Sequence, residues 1–125
     1  MQLLSKILTG AVAALHVYIL ILEMFLWQTE RGMKAFGTTP EFAAESAVLA
    51  ANQGLYNGFL AAGLFWALLF LKDHMQFSVQ CFFLGCVIVA GLYGGYTAKP
   101  SIYFIQALPA ALALGATLLA RRSVA

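Results

Sequence analysis

The sequence predicts an all-α fold, a four-helix transmembrane bundle with up-down-up-down topology, and three observations support this prediction. The chain is 62% hydrophobic and only 10% charged, whereas soluble domains carry about a quarter charged residues. Four apolar stretches are each long enough to cross a hydrocarbon core of about 30 Å. Short polar breaks follow the second and third stretches, and short connections favour antiparallel neighbouring helices.

We expect a single integral membrane domain over residues 1–125. Its four spans are predicted at about 3–27, 47–71, 77–96 and 102–120. The first stretch is too long for a signal peptide and lacks a small-residue cleavage site, so we interpret it as a retained span. Thr39 as N-cap and Pro40 at the first helical position predict a short interfacial helix that leads into the second span.

Small residues in the last two spans predict close helix packing. Gly91 and Gly95 form a GxxxG pair in the third span, and Ala110 and Thr117 belong to a small-residue stripe in the fourth. Because small residues let helices approach closely, we expect these faces to pack together, and Gly91/Gly95 or the fourth span to serve a homo-oligomer. Pro109 lacks a backbone donor, which predicts a kink or a polar contact at its level.

The basic residues predict a cell inner membrane protein with cytoplasmic termini. Four lie on the terminal side and three on the other, namely Lys6, Lys72, Arg121 and Arg122 against Arg31, Lys34 and Lys99. Basic residues favour the cytoplasmic side, so this small excess sets the predicted orientation. The lipid bilayer is therefore the expected partner. A chain without a longer basic run than two residues is not expected to bind nucleic acid.

The two cysteines predict neither a redox centre nor a metal site. Cys81 and Cys86 lie five residues apart in one apolar stretch, with no CxxC motif and no histidine at zinc-ligand spacing. Small apolar packing explains such residues most simply. We expect no metal and no cofactor.

Glu23 is the most informative residue of the first span, because it places an ionisable carboxyl at or beyond the middle of an apolar helix. A charged side chain at the centre of a membrane helix costs about 2.5 to 3.5 kcal/mol, so such a residue is a functional candidate. His16 lies two turns earlier and Trp27 one turn later, which places the three on one helix face. His16 and Glu23 are then roughly 10 Å apart along the axis, a spacing that suits groups flanking a ligand or a water.

A second polar set lies on the second span. Asn52, Gln53, Tyr56 and Asn57 fall within an arc of roughly 140° on a helix. Each unmatched polar group that faces lipid costs several kcal/mol, so this set must meet a partner helix, water or a ligand. Gln106 on the fourth span adds one more carboxamide.

Four segments of the sequence resemble those of a known family. They are Leu15-His16, Leu22-Glu23-Met24-Phe25-Leu26-Trp27, Ala50 to Gly63, and Cys86 to Gly91. The chain resembles, over nearly its full length, a family of small bacterial integral membrane proteins catalogued as domain of unknown function 1304. The string Asn-Gln-Gly-x-Tyr-Asn-Gly is its most specific part. The resemblance implies four spans and supplies no substrate or mechanism, so the function has to come from the site.

The residues favour a membrane-embedded site for a lipophilic small molecule. Glu23 is the candidate general acid or base and His16 its proton partner. The candidate substrate-binding residues are Trp27, Asn52, Gln53, Tyr56, Asn57 and Gln106. Isomerisation, epoxide opening or hydration would suit such a site.

Two other classes of function stay open. A proton-coupled exporter that acts as a dimer would use one carboxyl of the first span, an analogy of architecture only. Carboxamides and a histidine around Glu23 argue for neutral polar recognition over the aromatic walls that cations prefer. In the third class the chain is a structural or assembly subunit whose polar residues only lock the helices together.

Overall fold

The computed structural model describes residues 1–122, and within this range the chain is almost entirely helical and has no strand. The helices are α1 (Gln2–Met24), α2 (Glu30–Phe36), α3 (Pro40–Phe70), α4 (Asp73–Thr97), a π-helix (Tyr103–Ala107) and α5 (Leu108–Arg122). Four helical segments of the described range, α1, α3, α4 and Tyr103–Arg122, are long and apolar enough to cross a membrane. The predicted all-α class is confirmed, and the helix lengths and composition are those of a multi-pass membrane protein.

The chain divides into two compact units. Unit 1 comprises Met1–Ala13 and Ala62–Ala125, and unit 2 comprises Ala14–Ala61. Helices α1 and α3 each contribute residues to both units. The single domain over residues 1–125 stays a prediction, and its last three residues lie outside the described range.

In unit 2 the first helix is shorter than its predicted span. Helix α1 ends at Met24, so Trp27 lies in the turn that follows and not on the helix face of Glu23. The turn is fixed locally, because Thr29 donates its hydroxyl to the carbonyl of Leu26 at 2.6 Å and receives the N–H of Gly32. Thr29 therefore closes the turn after α1 and caps the N-terminus of α2.

Helix α2 was not predicted, although its sequence carries capping signals. Thr29 is its N-cap, Glu30 lies in its first turn, and Gly37 ends it with φ of 68°. This left-handed conformation favours glycine. The sequence predicts no helix between the first two spans, because a seven-residue segment is too short to show an apolar period.

The predicted helix start at Thr39 and Pro40 is confirmed. Thr39 accepts the N–H of Phe42 at 3.2 Å, and Pro40 is the first helical residue. Helix α3 then continues without a break for 31 residues, which at about 1.5 Å per residue gives roughly 46 Å. A helix of this length exceeds the hydrocarbon core, so the predicted interfacial segment is the first part of α3 itself.

In unit 1 the last two spans pack together, but the glycines of the third span meet Ala107 and Tyr103, which precede the predicted small-residue stripe. A Cβ added at Gly91 would come within 2.6 Å of the backbone nitrogen of Ala107, and one added at Gly95 would overlap the ring of Tyr103. Two residues before Pro109, the backbone widens into the π-helix. The π-helix departs from regular α-helical geometry at this level, and the kink or polar contact expected at Pro109 stays a prediction.

Candidate functional site

The central feature of unit 2 is a hydrogen bond between Glu23 and Asn57. The Asn57 Nδ2 donates to Glu23 Oε1 at 2.6 Å, and the same nitrogen lies 3.2 Å from the backbone carbonyl of Gln53. Glu23 is 8% exposed, and Asn57 is half-buried. A short bond to a carboxyl oxygen fixes both side chains, so two residues that sequence analysis placed in one site are brought together. We call them the Glu23/Asn57 pair.

Two glycines of α3 allow this bond to form. A Cβ added at Gly54 would lie 2.6 Å from the Met24 side chain and 3.0 Å from the Cβ of Glu23, and one added at Gly58 would overlap Leu20. Gly54 and Gly58 are thus the close-approach face of α3 toward α1 within unit 2. Sequence analysis missed this face, although Gly54 to Gly58 reads GxxxG as plainly as Gly91 to Gly95 does.

The other polar residues of α3 turn away from this face. On a helix with about 100° per residue, Asn52 and Tyr56 lie roughly opposite the glycines, whereas Asn57 lies at the edge nearest to them. Asn52 donates to the carbonyl of Val48 in its own helix at 2.9 Å. Tyr56 is 59% exposed and its ring packs edge-on against Phe59.

The structure therefore does not bring Asn52, Gln53 or Tyr56 against Glu23. Gln53 is exposed, and its contribution to the pair is the backbone carbonyl near Asn57. Their role as substrate-binding residues stays a prediction. Of the predicted carboxamide set of α3, Asn57 is the member whose side chain reaches Glu23.

The remaining predicted site residues lie in three different settings. His16 lies on α1 and is fully buried. Trp27 lies in the turn after α1, and Gln106 lies in the π-helix of unit 1. The roles of His16 as proton partner and of Gln106 as a ligand contact stay predictions.

Trp27 joins the turn after α1 to α2 and to the first part of α3. Its indole Nε1 donates to the Ser46 hydroxyl at 3.1 Å, and its ring centroid is 4.9 Å from that of Phe36. Ser46 in turn donates to the carbonyl of Phe42 at 2.6 Å. Trp27 therefore holds the turn after Glu23 against α2 and α3, an arrangement that a tryptophan with a satisfied N–H stabilises well.

Glu23 lies in the last turn of α1, so its carboxyl is near one end of the span rather than at its centre. A carboxyl at this level can meet a polar group that enters from the membrane surface while the remainder of the molecule stays among apolar side chains. The hydrogen-bonding groups at this level of unit 2 are the Glu23 carboxyl and the Asn57 amide, which donates to it at 2.6 Å. Among residues 1–122, no three His, Cys, Asp and Glu side chains are grouped as a metal site requires.

Unit 1 contains a second polar cluster, which sequence analysis did not identify. Gln80 Nε2 donates to Thr9 Oγ1 at 3.0 Å and to Ser5 Oγ at 3.4 Å, and Ser5 Oγ lies 2.7 Å from Thr117 Oγ1. All four side chains are buried. Ser5 and Thr9 are four residues apart on α1, and that spacing of two hydroxyls on one face was the available signal. We call these four residues the neutral cluster.

Comparisons with known proteins identify a family over most of the chain. The family model described as Protein of unknown function (DUF1304) matches residues 10–118. The chain is also similar to the Uncharacterized protein YpaA of Lactococcus lactis subsp. lactis (strain IL1403), with 34% identity over 116 residues, which cover 91% of this chain and 96% of that protein. No solved structure gives a significant match.

Proposed function

We propose that this chain, which belongs to the family of proteins of unknown function DUF1304, binds a lipophilic small molecule through the Glu23/Asn57 pair. The proposal includes acid–base chemistry on a polar group of that molecule, with isomerisation, epoxide opening or hydration as the reaction classes. It places the protein in the bacterial inner membrane with its termini in the cytoplasm, following its basic residues.

The observation that carries the proposal is the buried carboxyl of Glu23 with a neutral amide as its hydrogen-bond donor. The bond of 2.6 Å to Asn57 uses one carboxyl oxygen, and a carboxyl has further lone pairs to accept a ligand donor. Glu23 is 8% exposed although it lies near the end of the span, and a buried ionisable residue of a membrane helix is a functional candidate. Helix packing alone would be served as well by two carboxamides.

The close approach of α1 and α3 supports the same proposal. Because Gly54 and Gly58 leave room for α1, the pair is held on two helices instead of on loops, and functional groups on rigid elements are better preorganised. In the acid–base reading, Glu23 gives or takes the proton and Asn57 orients the carboxyl. His16, which is buried on the same helix, would return the proton from deeper in the span.

Co-purified molecules provide the test. Wild-type protein, Glu23→Gln and Glu41→Gln, which makes the same change at an exposed residue of α3, are purified in mild detergent, and the small molecules they retain are extracted and compared by mass spectrometry. We expect a molecule retained by the wild type and by Glu41→Gln, and reduced by at least about tenfold with Glu23→Gln, because removal of a charge-assisted hydrogen bond costs about 1.5 to 3 kcal/mol. Equal retention by all three proteins would count against a site at Glu23.

Proton-coupled export is the second candidate, and one observation favours it. The donor that holds Glu23 is the neutral Asn57 amide, so the pair itself contains no positive charge that would compete with a cationic substrate for the carboxyl. In proteoliposomes an exporter would move protons when a lipophilic cation such as tetraphenylphosphonium is added, and Glu23→Gln would abolish the movement. Retention of a neutral molecule without proton flux would favour the first proposal.

A homo-oligomer through Gly91 and Gly95 stays a prediction. Within their own chain these glycines pack against Ala107 and Tyr103.

A further inference from the structure

Unit 1 contains a cleft of about 660 Å³ that the proposed function does not use. It lies where α1 and α4 begin and where α3 and α5 end, and we call it the terminal cleft. Its lining includes Lys6, Lys72, Asp73, Phe77, Gln80 and Arg121. Its volume falls within the range of about 300 to 1,000 Å³ that is typical of small-molecule sites. We propose that the terminal cleft binds the phosphate headgroup of an anionic phospholipid.

The charge of the cleft supports an anionic occupant. Lys6, Lys72 and Arg121 line it together with one carboxylate, that of Asp73, which leaves a formal excess of two positive charges. The chain has seven basic residues in all, so nearly half of them surround one opening. A concave surface with one sign of charge attracts ligands of the opposite sign.

Arg121 has the geometry of a phosphate ligand. Its guanidinium carbon lies 4.1 Å from the centre of the Phe77 ring, a cation–π contact that orients the group. A guanidinium stacked on a ring keeps its N–H edge free of that contact, and this planar edge matches two phosphate oxygens. Phe77 therefore prepares Arg121 for an anion without neutralising it.

The backbone near the cleft adds to the positive field. The Nε2 of Gln76 donates to the carbonyls of Ala67 at 2.9 Å and Leu71 at 3.1 Å, and so satisfies acceptors at the end of α3. No side chain caps the start of α4 at Lys72. Backbone N–H groups at the N-terminus of a long helix attract negative charge, and this attraction adds to that of the basic side chains.

The cleft is amphipathic, which favours a lipid over a soluble phosphate compound. Leu68, Leu69 and Phe77 contribute apolar wall, whereas Ser5 and Gln80 of the neutral cluster form a polar inner surface. The helix ends that build the cleft are those of membrane-length helices, a level at which headgroups and the first carbons of acyl chains are found. A phosphate with apolar chains attached satisfies both surfaces at once.

Two neighbouring arginines provide a matched test. Arg121 lines the cleft and Arg122 does not, although both are exposed and adjacent at the end of α5. Wild type, Arg121→Gln and Arg122→Gln are titrated with phosphatidylglycerol and with phosphatidylcholine, and bound lipid is counted by native mass spectrometry. We expect wild type to prefer phosphatidylglycerol, Arg121→Gln to weaken its binding about tenfold, and Arg122→Gln to change it less than about twofold.

A competition arm identifies the source of the phosphate. Millimolar inorganic phosphate is added to the wild type with bound phosphatidylglycerol, and we expect no displacement, because the apolar wall contributes to lipid binding only. Displacement by phosphate alone would overturn the lipid assignment. An equal loss of affinity in both arginine variants, or equal binding of the two lipids, would overturn the site.

A second variant keeps the test decisive if Arg121→Gln disturbs folding. Lys72→Gln removes another cation of the cleft at an exposed helix start, and Lys34→Gln on α2 of unit 2 is its control. Circular dichroism and gel filtration establish that each variant is folded. Lys72→Gln should weaken phosphatidylglycerol binding about threefold or more, and Lys34→Gln should leave it unchanged. The reverse order would contradict the proposal. None of these variants touches Glu23 or Asn57, so failure here leaves the proposed function untouched.

Discussion

The neutral cluster of unit 1 and the Glu23/Asn57 pair of unit 2 both join α1 to another helix through buried polar groups, but they differ in chemistry. In the neutral cluster, Gln80 donates to Ser5 and Thr9, and Thr117 donates to the carbonyl of Ala113 at 2.8 Å. Ser5 is thereby left as the donor in its contact with Thr117. The pair of unit 2 instead joins one titratable carboxyl to one amide.

The difference separates two uses of polar groups in an apolar chain. Hydroxyls and a carboxamide that satisfy one another make interhelical bonds without a change of charge, which is what helix packing requires. A carboxyl can also exchange a proton, and its protonation state decides whether it donates or only accepts hydrogen bonds. We therefore expect substitutions in the neutral cluster to alter stability, and substitutions at Glu23 to alter ligand binding at nearly constant stability.

Gly54→Ala should have the largest effect on stability, because its Cβ would lie 2.6 Å from the Met24 side chain and 3.2 Å from the carbonyl of Leu20. Overpacking of this kind costs about 1 to 3 kcal/mol, and the separation of the helices would lengthen the bond between Asn57 and Glu23. Reversible unfolding in detergent measures the change. Gly115→Ala is the control, since a Cβ there meets nothing within 4 Å. Equal stability of both variants would show that α1 and α3 do not approach at Gly54.

Gln80→Leu should have the next largest effect. The substitution leaves the hydroxyls of Ser5 and Thr9 without their carboxamide donor, and we expect a loss of about 1 kcal/mol in the free energy of unfolding, near the values measured for single bonds between membrane helices. The same unfolding assay applies. Gln53→Leu replaces an exposed carboxamide and should change stability by less than about 0.5 kcal/mol. A neutral result for Gln80→Leu would mean that the cluster does not lock these helices.

Trp27→Phe should have a smaller effect, confined to unit 2. It keeps an aromatic ring near Phe36 and removes the indole donor to Ser46. Loss of a half-buried neutral hydrogen bond costs about 0.5 to 1.5 kcal/mol, and the surviving ring contact favours the lower end of that range. Hydrogen exchange of α2 should accelerate while that of α4 stays constant. Faster exchange in both helices would indicate that Trp27 stabilises the whole chain.

Glu23→Gln should have the smallest effect on stability. A glutamine keeps an acceptor oxygen for the Asn57 amide, so the free energy of unfolding should change by less than about 0.5 kcal/mol. The neutral side chain can no longer exchange a proton, which is why the same variant is expected to lose its ligand. A large drop in stability would place Glu23 with the neutral cluster as a packing residue.

The sequence predicted the fold better than the arrangement of the site. Apolar length alone gave the four long helices, and Thr39 with Pro40 gave the start of α3, because these signals are local. The Glu23/Asn57 contact could be expected only as a member of a larger set. The side of α3 that faces α1 is set by its small residues Gly54 and Gly58, and the polar residues of α3 do not mark that side.

Two further features could not be predicted because they depend on contacts between distant residues. The neutral cluster joins residues 112 positions apart, and nothing in a single sequence assigns Thr117 to Ser5. The terminal cleft gathers three basic residues from three different helix ends. The sequence placed all three on the terminal side of the membrane, but it could not show that they surround one opening, since basic residues are common beside any span.

Carbodiimide labelling tests most directly whether Glu23 is open to a lipophilic molecule. Membranes containing the protein are treated with dicyclohexylcarbodiimide, which is lipophilic, or with a water-soluble carbodiimide, and the modified carboxyls are located by peptide mass spectrometry. We predict that Glu23 reacts with the lipophilic reagent, whereas the exposed Glu41 and Glu45 of α3 react with the water-soluble one. If dicyclohexylcarbodiimide leaves Glu23 unmodified in the folded protein, the carboxyl is sealed against Asn57, and the proposed binding site is contradicted.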